Sequence, residues 1–116
     1  MAKYRFYAPA DRRQDEIWDY SAKTWGLAQA ETYMRGLHDF LARLAARPAL
    51  WRELPNRLAV PTDLQVKVYF ARYERHVVFF RELSDKRIGI LTILHAAMDL
   101  PVRLNEDLAR LERLRD

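Results

Sequence analysis

The feature that most constrains this fold is a pair of strand-like apolar runs, Arg72-Tyr73-Glu74-Arg75-His76-Val77-Val78-Phe79-Phe80-Arg81-Glu82-Leu83 and Ile88-Gly89-Ile90-Leu91-Thr92-Ile93-Leu94-His95-Ala96-Ala97-Met98-Asp99-Leu100. The polar turn Ser84-Asp85-Lys86-Arg87 joins them. Val77 and Phe79 oppose Val78 and Phe80 across the first run, so both of its faces are apolar. Such a strand belongs in the centre of a sheet, with cover on part of each side. With a preceding stretch, three strands are expected over about 66–72, 76–83 and 88–95, paired antiparallel.

Upstream, residues 3–8 alternate as a strand, with Tyr4 and Phe6 on one face and Arg5 and Tyr7 on the other. Pro9 and Asp11 punctuate the chain; Asp11 is expected to cap a first helix over about 11–25, with Asp15 and Glu16 near its positive end. Ile17 and Tyr20, with Trp18 beside them, define its apolar side, and Gly26 stops it. Ala30, Tyr33, Met34, Leu37, Phe40, Leu41 and Leu44 follow the three-four spacing of a buried stripe, which predicts a second helix over about 27–47, ended by Pro48. A single Gly-centred turn between two helices folds them back as an antiparallel hairpin. The connection from Pro48 to Asp63 carries Trp51 and Leu54 as anchors over the core edge, and a loop of this length is often functional. The tail from Pro101 reads as an amphipathic helix, with Leu104, Leu108 and Leu111 on one side and Glu106, Asp107, Arg110, Glu112 and Arg113 on the other. Whether it packs back or serves a partner stays open at this level.

Composition narrows the function classes. A chain of 116 residues makes one domain, too short for a separate substrate-binding lobe. No apolar run reaches the roughly 18–20 residues of a membrane span, and no leader-like segment precedes the fold, so a soluble, cytoplasmic product is expected. The absence of cysteine removes disulfides, thiolate nucleophiles and Cys-ligated zinc. His38, His76 and His95 are spaced too irregularly for a zinc motif, so neither metal nor cofactor is expected. No nucleophile elbow surrounds Ser21, Thr24, Thr32, Ser84 or Thr92, and there is no Gly-rich phosphate loop. Of the 20 basic residues, 16 are Arg, a bias that fits an acidic protein partner or a phosphate backbone and equally a GC-rich genome.

The order of the two apolar runs, their cationic flanks, and Ala10, Ile17, Trp18, Asp19, Tyr20, Trp25, Gly26, Ala30 and Tyr33 in the helical segment together resemble the ParE/RelE toxins of type II toxin–antitoxin systems. The stretch Leu94-His95-Ala96-Ala97-Met98-Asp99-Leu100 resembles the ending of the ParE branch. The resemblance covers nearly the whole chain. It implies an α+β fold with an N-terminal strand, an antiparallel two-helix hairpin, a three-stranded antiparallel sheet and a C-terminal helix. Residues 1–100 would be the toxin domain and 101–116 a helical extension. One departure is Ala10-Asp11-Arg12-Arg13-Gln14, where the family commonly shows Ala-x-x-Asp-Leu. Another is Phe80, at a position often held by Tyr.

The resemblance implies a non-enzymatic inhibitor of DNA gyrase, acting by protein–protein contact and held by a cognate antitoxin in a hetero-oligomer, without membrane association or direct DNA binding. On that branch Arg72, Arg75, Arg81, His95, Met98 and Asp99 are expected target contacts. Trp18, Trp25, Tyr33, Trp51 and Tyr73 are expected antitoxin contacts, since Trp, Tyr and Arg anchor interfaces. A second branch resembles the ribosome-dependent mRNA interferases, metal-independent endoribonucleases in which Arg72, Arg81 and His95 would be catalytic. A third reading is a non-toxic relative that keeps only the antitoxin interface. Each residue also has a plain structural role to weigh: a salt-bridged strand-end Arg, a boundary position for His38, a cross-strand pair for His76, and a hydrogen bond from His95 to Asp99 or the backbone.

Overall fold

The computed structural model describes residues 3–55 and 67–111. Its elements are β1 (Tyr4–Phe6), α1 (Ala8–Trp25), α2 (Leu27–Ala46), a 3-10 turn (Pro48–Leu50), β2 (Arg52–Glu53), β3 (Tyr69–Tyr73), β4 (His76–Glu82), β5 (Ile88–His95) and α3 (Leu100–Ala109). The expected start of β3 at residue 66 and the end of the long connection lie outside the described residues.

Five strands form one sheet in the order β1-β5-β4-β3-β2. β4 is central, as its two apolar faces require. The sheet is nevertheless larger than the three strands expected, and mixed. β1 runs parallel to β5, with Tyr4, Arg5 and Phe6 opposite Ile88, Gly89 and Ile90, and β2 closes the other edge against β3. The α1–α2 hairpin carries the chain from β1 at one edge across a face of the sheet to β2 at the other, and the antiparallel strands β3, β4 and β5 then step back until β5 lies parallel beside β1. Phe79 and Phe80 oppose Thr92 and Ile90, so β5 carries Leu91 as one extra residue, a bulge that changes which face its later side chains meet.

Helix α1 begins at Ala8, earlier than expected. Pro9 sits in its first turn, where the missing N–H is no loss, and Asp11 lies inside that turn instead of capping it. Gly26, at φ +94°, ends α1 and leads directly into α2. The hairpin lies on one face of the sheet. Leu37, Leu41 and Leu44 of α2 pack with Ala10 and Ile17 of α1 over Val78, Phe80, Ile88, Ile90 and Ile93.

The opposite face has its own core. Leu104 and Leu108 of α3 cover Val77, Phe79, Leu91 and Leu94, with Tyr7 at the margin. The tail therefore packs back. Asp107, assigned by periodicity to the solvent side, is 1% exposed. Its carboxylate accepts from Arg13 Nε (3.0 Å) and Nη2 (3.1 Å) of α1 and from the Thr92 hydroxyl (2.7 Å) of β5. Burial is compensated because the charge is paired bidentately and hydrogen-bonded. Asp99 caps α3, its side chain accepting from the Val102 N–H at 3.4 Å.

Gly89 is a close-approach position in β5. A Cβ there would stand 2.6 Å from Tyr7 Cε1 and 3.2 Å from Leu83 Cδ2, and both of those side chains are buried. Gly89→Ala is expected to cost about 1–3 kcal/mol through overpacking, read as a lower urea midpoint with unchanged slope.

Candidate partner-binding groove

β4 starts where antiparallel β5 ends, at one end of the strands, so His76 and His95 are register partners. Their rings meet edge to face with centroids 5.2 Å apart. His76 shares a face with Val78 and Phe80, which directs it toward the hairpin, and its Nδ1 lies 2.6 Å from the Tyr33 hydroxyl of α2. Tyr33 in turn packs edge to face on Tyr73, which also touches Phe40. Gly36 leaves room for that arrangement, because a Cβ there would overlap the Tyr73 hydroxyl. In the β3–β4 turn, Glu74 at φ +51° turns the chain so that the Arg75 guanidinium stands over the Trp25 ring, 5.4 Å from its centre.

These side chains line two adjoining depressions. One, about 420 Å³, is bounded by Tyr20, Trp25, Gln29, Tyr33, Tyr73 and Arg75, with His76 and His95 at its base. The other, about 370 Å³, lies between α1 and the β5–α3 turn, against Ile17, Ile93, Ala97 and Met98. Both share Tyr20, His76 and His95, so they form one groove. Its rim is aromatic and open: Tyr20 is 59% and Trp25 54% exposed, and Leu27 beside them is 65% exposed. Trp, Tyr and Arg are the residue types most enriched among the anchors of protein interfaces.

Burial, then the neighbouring His95 and Arg75, pushes His76 down to about 4. Its folded value is depressed, so the unfolded chain takes the proton first and His76 favours the fold fully only above the ordinary imidazole value. That contribution, at most about 3 kcal/mol, is lost as the pH falls from about 6.5 to about 4. His76→Phe is expected to flatten the melting temperature against pH over that window. Burial likewise raises the Tyr33 hydroxyl.

The groove gathers residues expected separately as target contacts (Arg75, His95, Met98) and as antitoxin contacts (Trp25, Tyr33, Tyr73). Others lie elsewhere. Arg72 and Arg81 pair with Val77 and Gly89 and belong to the α3 face, whereas His95 pairs with His76 of the hairpin face. Arg81 is also five residues along β4 from His76, roughly 16 Å at strand spacing. The Arg72 Nε donates to the Glu74 carbonyl at 2.8 Å, and an Arg81 Nη1 lies 3.5 Å from the Tyr7 hydroxyl. Arg72, Arg81 and His95 are thus not brought together.

Asp99 is taken up by its cap. Trp51 donates from Nε1 to the Leu44 carbonyl at 2.7 Å and packs on Tyr69 and Phe80, so its ring serves the core edge. Trp18 is half-buried on α1 and does not line the groove. The backbone is the partner of His95: the Ala97 N–H donates to its Nδ1 at 3.0 Å. His38, read as a boundary residue, ties three elements. Its Nδ1 is 2.8 Å from the Tyr4 hydroxyl, its Nε2 bonds the Gln14 side chain, and its ring stacks on Phe6. Tyr20 was read as part of the apolar side of α1 and appears instead on the groove rim. A tyrosine there satisfies the helical period without being buried, so periodicity carried no signal for its role.

Strand, helical hairpin and returning sheet, in this order over nearly the whole chain, define a small α+β domain of the kind shared by ParE and RelE toxins. Sequence comparison narrows this to one branch. Residues 4–100 match the family described as ParE toxin of type II toxin-antitoxin system, parDE, and the chain belongs to that family. It is 31% identical to Toxin ParE of Escherichia coli over 93% of this chain and 98% of that one. It is 30% identical to Toxin ParE1 of Caulobacter vibrioides over 90% and 99%, and 27% identical to Toxin ParE1 of Mycobacterium tuberculosis over 85% and 94%. An alignment covering 93% of this chain must run into α3. No described helix is long and apolar enough to cross a membrane.

Proposed function

We propose that this chain is the toxin of a cytoplasmic toxin–antitoxin pair, inhibiting DNA gyrase by protein–protein contact and neutralised by a cognate antitoxin that binds it directly. The observation that carries this reading is the open aromatic groove with Arg75 over Trp25, a surface suited to a peptide or protein anchor. The separation of Arg72 and Arg81 from His95 favours contact over cleavage, since phosphodiester chemistry needs its cations and its acid or base around one phosphate. Induced expression of the chain alone is expected to arrest growth with DNA breaks and intact message. Rapid message cleavage would instead assign it to the mRNA interferases, and unimpaired growth with tight antitoxin binding would make it a non-toxic relative.

A further inference from the structure

One wall of the groove is the turn after β5, held by two backbone hydrogen bonds, Ala96 N–H to the Arg75 carbonyl (2.8 Å) and Met98 N–H to the His95 carbonyl (3.0 Å), and by one bond to an imidazole. The Ala97 N–H donates to His95 Nδ1, so that nitrogen must carry a lone pair, and a neutral His95 keeps its proton on Nε2. Ala97 and Met98, in the turn ordered by this bond, line the cleft against α1, and Asp99 immediately after them caps α3. A proton added at Nδ1 sets two donors against each other at 3.0 Å. We infer that His95 is a proton switch for the partner groove: uncharged, its ring fixes the Ala97 amide in the wall, and protonated, it withdraws that bond, lets Ala97 and Met98 shift on the turn's remaining backbone bonds, and weakens the groove's hold on gyrase.

The groups around His95 favour release once the charge forms. His76 from β4 is in ring contact and Arg75 stands in the adjoining turn. Tyr33 of α2 is engaged with His76, and Tyr73 of β3 lines the same depression. From α1 come Tyr20, Glu16 and Arg13, the last two paired with each other and Arg13 also with Asp107. Glu74 lies on the rim, and Asp99 is bonded to the α3 N-terminus. The nearby carboxylates are engaged elsewhere: Asp107 with Arg13 and Thr92, Glu16 with Arg13, and Asp99 with the Val102 N–H. Burial, with His95 and Arg75 adding to it, pushes the neighbouring His76 down to about 4.

The identity of the partner rests on the proposed function; the switch itself does not. The test is an NMR titration of the whole chain from about pH 8 to about pH 5, spanning ordinary imidazole titration. The Ala97 amide and Met98 methyl signals are expected to move with the His95 ring signals. His95→Asn keeps an acceptor oxygen near the Nδ1 position without a titrating group, and should hold both signals still. An Ala97 amide that stays fixed in the native chain, or moves equally in H95N, overturns the switch. In parallel, affinity for purified DNA gyrase should fall about tenfold between about pH 7.5 and about pH 5.5 in the native chain, and less than about twofold in H95N. Equal loss in both overturns the link to binding. No gyrase binding at either pH, with a responsive Ala97 amide, overturns the gyrase assignment and upholds the switch.

Discussion

A chain cut after Asp99 is expected to lose its cooperative fold. The cut removes Leu104 and Leu108, which are 1% and 0% exposed, and uncovers Val77, Phe79, Leu91 and Leu94 on the second face of the sheet. Burying a leucine contributes about 1.5–3 kcal/mol, and the strand residues beneath lose their cover as well. Arg13 and Thr92 lose Asp107 at the same time. A total on the order of 5–10 kcal/mol rivals the whole stability of a domain this size, about 5–15 kcal/mol. Circular dichroism melting and dye binding to exposed apolar surface measure it. A truncated chain that melts at the native temperature would make α3 an appendage, and lost toxicity would then point to direct contact with the target.

Asp107→Ala is expected to destabilise the protein by about 3–5 kcal/mol, since it leaves the Arg13 guanidinium, itself 14% exposed, without its bidentate partner. The Asp107 interaction raises the Arg13 pKa further, so this arginine stays charged and cannot escape by deprotonation. Arg13→Met combined with Asp107→Leu should recover most of that loss, because an apolar pair of similar volume avoids the desolvation of two charges. Urea unfolding of the two single variants and the double variant gives the coupling energy. A loss under about 1 kcal/mol in D107A would reduce the contact to an ordinary surface pair such as Arg103–Glu106, whose side chains are about half exposed.

The hairpin and the antiparallel β3–β4–β5 portion of the sheet were legible because each left a local periodic signal, and the family was legible through the resemblance of particular residues. The stripe from Ala30 to Leu44, the stop at Gly26 and the doubly apolar β4 act over a few residues, and the structure uses them as they read. The start of α1 was misread because Asp11 and Pro9 are both helix-start residues, and proline in the first turn prevailed. The groove was only partly legible. Arg75, Trp25, Tyr33 and His95 stood out as residue types, but nothing near any one of them announces that the β3–β4 turn, the α1–α2 turn and the end of β5 meet at one end of the strands.

By itself, the sequence determined the order of the three helices and of the strands β1, β3, β4 and β5, the central position of β4 and the family, all of which follow from short-range pattern and similarity, whereas β2 read as part of a loop. Only the tertiary structure decided the parallel pairing of β1 with β5, the burial of Asp107 against Arg13, the return of α3 onto the second face, and the parting of Arg72 and Arg81 from His95. The physical reason is common to all four. Each depends on which face of a strand or helix a residue presents once distant segments pack together, with Arg13 and Asp107 separated by 94 positions along the chain. A charged residue on an amphipathic helix reads as solvated until a partner from elsewhere in the fold takes it out of water.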